Sequence, residues 1–160
     1  MTPRPVPRLA QAIAASLFAC AAWLGLAIAS TFALAQSVPG AALPAVEWER
    51  IRGVITAQRE ALVAGDGERA FGYATPALRR RYASAEAFMR MVDEGYRPLV
   101  EARYVEFLDG AIIEGSTIQP LRLVMPDGGV RVALYEMQKQ ADGSWRIAGC
   151  VIAPSTVKAA

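Results

Sequence analysis

The chain reads as an α+β protein in which helices come first and pack on one face of a curved four-stranded antiparallel sheet. Two observations predict the class. Apolar residues recur at helical spacing up to Tyr96, then change after Pro98 to short apolar or alternating runs. Those later runs are separated by three Asp-Gly pairs, at 109–110, 127–128 and 142–143. Such pairs are strong hairpin signals, because both central residues of a type I′ turn need positive φ. Helical segments that precede strands without alternating with them give an antiparallel meander rather than a crossover sheet.

Before the domain comes a leader. Arg4 and Arg8 precede an apolar run from Leu9 to Leu34, and Ala33-Leu34-Ala35 stands just before Gln36. This is the pattern of an export signal, residues 1–35. The run is also long enough to span a bilayer as a helix, so an uncleaved anchor is the alternative. Either reading puts the folded part outside the cytoplasm, in the periplasm or secreted, and membrane association follows only if the leader is retained. The Cys20 context does not fit a lipoprotein, since the apolar run continues past it and Phe18 is bulky.

Residues 36–45 are small and Pro/Gly-marked and read as a linker, 46–154 as the domain and 155–160 as a tail. In the first helix Ile51, Val54, Ile55, Gln58, Ala61 and Leu62 form one stripe, with Glu47, Glu49, Arg50, Arg52 and Arg59 on the other side. Gly65 stops it, and Asp66 caps a short helix carrying Phe71 and Tyr73. Thr75-Pro76 begins a segment ending near Tyr82. Ser84 caps a helix with the stripe Phe88, Met91 and Val92, which Gly95 and Pro98 end. Four strands follow, about 99–108, 111–125, 129–139 and 144–153, with Pro120 marking a bend or an edge.

Composition excludes more than it assigns. The net charge of +2 comes from Arg4 and Arg8; without them the 17 basic residues fall to 15, against 15 acidic. A neutral body has no general attraction for phosphate backbones, so nucleic acid is not an expected partner. The Arg79-Arg80-Arg81 run reads as a solvated helix face, with an anion site as the alternative. With Cys20 in the leader, Cys150 has no intramolecular partner, and it reads as a small buried hydrophobe. The chain has no histidine, which removes Ser-His-Asp and Cys-His nucleophile systems and an ordinary zinc site. No glycine-rich nucleotide loop or calcium loop is present, so neither cofactor nor metal is expected.

The order of helices, the stretch Tyr73-Ala74-Thr75-Pro76, the segment from Phe88 to Tyr96 and the closing run from Asp142 to Cys150 resemble the bacterial family called Domain of Unknown Function 4864. The resemblance covers about residues 47–153. It implies the nuclear-transport-factor-two-like, cystatin-like fold group, a cone of curved sheet wrapped around a long helix. That group includes isomerases, dehydratases and plain binding or dimerisation modules, so the resemblance implies a fold and no site.

The final hairpin allows a closer reading. If Asp142-Gly143 is a two-residue turn, Gln138 pairs with Ile147, Glu136 with Gly149 and Leu134 with Val151. One face then carries Val132, Leu134, Glu136, Gln138, Trp145, Ile147 and Val151, and is expected to face inward. Glu136 would stand in an apolar face opposite a glycine, where desolvation strengthens a carboxylate as a general base. The plainer readings are that the twisted strand turns Glu136 toward solvent, or that Arg122 or Arg146 pairs with it. Gln58 meets it from the helix side, unless it is a structural amide. Tyr73, Phe88, Met91, Tyr96 and Trp145 are candidates for the rest of a pocket, or simple core. The opposite face carries Tyr135, Met137, Cys150 and Ile152, too apolar for water, and is expected to pack against a second copy in a homodimer.

The function expected from this is non-catalytic binding of a small apolar or amphipathic ligand, or of a protein partner. The alternatives are a cofactor-free isomerase or dehydratase, with Glu136 as base and Tyr73 or Tyr96 as proton donor, and a structural dimerisation module.

Overall fold

The computed structural model describes residues 43–154. The leader, most of the linker and the tail lie outside the described residues. α1 spans Ala45–Val63, and Ile51, Ile55, Gln58, Ala61 and Leu62 are its buried stripe, as their spacing requires. The three caps are formed. Asp66, Thr75 and Ser84 accept backbone N–H bonds from Arg69, Leu78 and Ala87 at 3.0, 3.2 and 3.2 Å. They start α2 (Gly67–Gly72), α3 (Pro76–Tyr82) and α4 (Ala85–Gly95). Each such cap contributes about 1 kcal/mol.

Pro98 starts a helix rather than ending the helical region. It sits in the first turn of α5 (Arg97–Glu101), where its missing N–H is an orphan in any case. The first strand therefore begins at Tyr104 and not at residue 99.

The sheet has five strands: β1 (Tyr104–Phe107), β2 (Ala111–Ile113), β3 (Ser116–Val124), β4 (Val130–Lys139) and β5 (Trp145–Pro154). All strand pairs are antiparallel in the order β1-β3-β4-β5, and β2 also pairs with β3. β1 and β2 thus lie end to end along one edge of β3. Asp109-Gly110 is the break between them and not a hairpin turn. Its glycine answers a different need, because a Cβ at Gly110 would overlap the Trp48 indole. The buried Gln119 bridges the break, donating from Nε2 to the carbonyls of Leu108 at 2.7 Å and Pro120 at 3.0 Å. The turn between β2 and β3 is Glu114-Gly115, with φ of 50° and 83°.

At the other two Asp-Gly pairs only the glycine is left-handed, Gly128 and Gly143 both at φ 80°. The last hairpin is therefore closed by the three residues 141–143, with Gln140 N–H donating to Ser144 O at 2.8 Å and Gly143 N–H to Gln140 O at 2.9 Å. Lys139 faces Trp145 and Met137 faces Ile147, one residue away from the register of a two-residue turn. A β-bulge opposite Glu136 and Met137 then takes Ala148 out of the ladder, and Glu136 returns to Gly149 and Leu134 to Val151. Between turn and bulge Trp145 and Ile147 therefore share a face with Met137 and not with Gln138.

Strand β4 faces the other way from the expectation, while Trp145 and Ile147 point inward as expected. Leu121, Leu123, Ala133, Tyr135, Met137, Trp145 and Ile147 are the buried row under the helices, while Leu134 is 38% and Val151 63% exposed. Tyr135 and Met137, with half-buried Cys150 and Ile152, are covered by the chain's own helices, so this row is not free to pack on a second copy. The free edge of β5 is shielded by the α2–α3 link: Thr75 N–H donates to Ile147 O at 2.9 Å and Ile147 N–H to Tyr73 O at 3.0 Å.

Candidate functional site

The bulge at Ala148 opens the ladder where α3 and α4 come down on β5. A cavity of about 150 Å³ lies there. Gln58 and Leu62 of α1 and Phe88, Met91 and Val92 of α4 form one side. The sheet side is Tyr135 with the bulged segment Ile147 to Cys150, and Leu78, Arg81 and Tyr82 close the α3 end. Phe88 meets Phe71 at a tilt, with ring centroids 5.3 Å apart, and Tyr82 edge-on at 6.0 Å, which fixes the Phe88 and Tyr82 rings of the wall. Arg81 is the one exposed residue of the lining, so the mouth lies beside it.

Polar groups in this wall are few. Gln58 donates from Nε2 to Ala70 O at 3.3 Å, and the Tyr96 hydroxyl donates to Cys150 O at 2.9 Å. The Tyr135 hydroxyl is fully buried and has no hydrogen-bond partner among the described residues. Burial holds its proton well above the usual phenol range; the neighbouring Cys150 adds to this and Arg59 opposes it. Burial also pushes the Cys150 thiol up to about 12 and raises Tyr96. At neutral pH all three are uncharged.

Four of the seven residues expected from sequence, Gln58, Phe88, Met91 and Tyr96, meet at this cavity. Tyr73 and Trp145 do not. They line a separate surface groove with Arg50, Val54, Asp142 and Arg146. Trp145 is pinned there by Glu47, which accepts from its indole N–H at 2.6 Å, from Lys139 Nζ at 3.1 Å and from Arg50 at 2.9 Å. The hydrogen bond from Trp145, then that from Lys139, holds the Glu47 carboxyl below the usual carboxylate range. This cluster ties the start of α1 to the β4–β5 hairpin.

Glu136 belongs to neither place. It stands on the exposed face, across the sheet from the cavity, and accepts a hydrogen bond from Ser116 Oγ at 3.1 Å. The apolar surround that a base at this position needs is missing, because β4 presents Glu136 and Gln138 on the side away from the helices. Ionisable residues outside the candidate set do reach the cavity: Arg81, Tyr82, Tyr135 and Cys150. One sequence signal pointed to Tyr135. Of the two alternating rows of β4, Ala133-Tyr135-Met137 is the one without an acidic or amide side chain between its apolar positions.

Among the described residues no group of three or more Cys, Asp or Glu side chains is assembled into a metal site. No described helix is long and apolar enough to cross a membrane.

Helices laid on one face of an open antiparallel sheet, with a small cavity between the layers, define an α+β domain. The family model described as Domain of unknown function (DUF4864) matches residues 45–160, and the chain belongs to that family. No curated protein and no solved structure matches it.

Proposed function

We propose that this domain is an exported, non-catalytic binding module for a small apolar molecule bearing one polar group. The observation that carries the reading is the cavity between α4 and the β5 bulge, whose wall includes Tyr135. A cavity of about 150 Å³ is large enough for a benzene-sized molecule. The basic and apolar leader, Arg4 to Leu34, supports export to the periplasm or beyond. Helices on one sheet face support the cystatin-like, nuclear-transport-factor-two-like grouping. The isomerase or dehydratase alternative gains nothing from Glu136, which lies on the far side of the sheet from Tyr96, and a purely structural module would have no use for a hollow. A homodimer is supported only through the opposite sheet face, where Leu134 and Val151 are exposed. A monomer in sedimentation velocity at micromolar concentration removes that element.

The binding reading is tested by titrating toluene and benzyl alcohol while following backbone amide shifts. The expected result is saturable shifts on α4 and on residues 147–150. Shifts spread over the surface, or none for either probe, overturn it.

A further inference from the structure

The cavity has a sign. Its lining contains no Asp or Glu and one permanently charged group, Arg81. Among the described residues no carboxylate lies within 4 Å of Arg81, as is also true of Arg79 and Arg80, so what sets Arg81 apart is its place at the cavity. Its neighbours in the basic run behave differently: Arg79 and Arg80 line a shallow outer groove with Phe71, Pro76 and Ala83. Arg81 is held over the mouth by the Tyr82 ring, with its guanidinium carbon 5.8 Å from the ring centroid. An unpaired cation at the entrance of a low-dielectric hollow focuses its field into the opening. Behind it Phe88, Val92 and Tyr135 form the inner wall.

Resting on the binding reading above, we propose that the ligand is a small apolar carboxylate, its apolar body against Phe88 and Val92 and its carboxylate at Arg81. A planar guanidinium suits a carboxylate through two parallel N–H···O bonds, and one cation calls for one negative charge. The ligand class is therefore a monocarboxylic acid of about the size of benzoic acid.

The test compares benzoate with its neutral isostere benzamide by calorimetry or amide shifts at low ionic strength, on the protein without its leader and on the Arg81→Gln and Arg79→Gln variants. Benzoate should bind about tenfold more tightly than benzamide, a difference of the order expected for one charge-assisted pair. Arg81→Gln should abolish that preference, Arg79→Gln should preserve it, and added salt should weaken benzoate more than benzamide. Equal affinities in the unaltered protein, or a preference that survives Arg81→Gln, overturn the carboxylate assignment and leave the cavity reading standing. Binding of neither compound, together with none of toluene or benzyl alcohol, overturns both.

Discussion

Replacing Tyr135 with Phe removes one oxygen from the interior. For most buried tyrosines that change is destabilising, because a hydrogen bond is lost; here the hydroxyl has none to lose. A buried polar group without a partner costs about 1–3 kcal/mol. The void left by the oxygen is roughly 10 Å³, and at about 24 cal/mol per Å³ it returns only ~0.2 kcal/mol. Removal of the penalty therefore dominates, and Tyr135→Phe should stabilise the ligand-free domain by about 1–2 kcal/mol. For a domain of this size that raises Tm by roughly 4–8 °C. Urea unfolding followed by tryptophan fluorescence measures it, with the midpoint moving up at constant slope, since the surface exposed on unfolding is unchanged. A loss of 1 kcal/mol or more at constant slope would refute the reasoning, because it would mean that the hydroxyl is paired in the native protein.

Four further outcomes follow from the structure. Cys150 is held protonated by burial, with its value raised from 9.0 to about 12, so iodoacetamide at pH 8 should label the native protein far more slowly than the urea-unfolded one. Its raised value, with that of Tyr135, means that the native state keeps protons which the unfolded chain releases. Stability should hold below about pH 9 and decline toward pH 12, with a shallower decline in Cys150→Ala, as measured by urea midpoints across that range. Glu47 has the opposite sign: its depressed carboxyl stabilises the fold above the ordinary value of 4.5 and loses that effect as pH falls through the folded-state value. Glu47→Gln should lower the midpoint at pH 7, and the gap from the parent should narrow on acidification below 4.5. Gly110→Ala drives a methyl into the Trp48 indole and should destabilise by about 1–3 kcal/mol, whereas Gly53→Ala, with open space around it, should not.

Much of the fold was legible before any coordinates. Asp66, Thr75 and Ser84 announce helix starts because a short side-chain oxygen satisfies the backbone N–H groups three residues on, a contact made entirely within one turn. The stripe of α1 is legible because an isolated amphipathic helix has one way to bury its apolar side. Helices followed by a meander likewise follow from the change in period after Pro98. All of these are local, and the chain within a few residues suffices to specify them.

The face of the sheet is not local. Alternation divides β4 into two rows, and both rows here are largely apolar, so only the helices that land on one of them decide that Tyr135 is interior and Glu136 is not. Two single-residue events compound this, the glycine that lengthens the last turn and the bulge at Ala148. Each reverses the pairing beyond it; together they cancel after Gly149, and Trp145 and Ile147 share the buried face with Tyr135 and Met137. The glycine of Asp109-Gly110, needed beneath Trp48, looks the same in sequence as a glycine needed for a turn. The amino-acid order by itself determined which segments coil and which extend, because those choices are settled by neighbours along the chain. Tertiary packing alone decided which surfaces meet and that a hollow remains between them, because those depend on contacts between residues far apart in sequence.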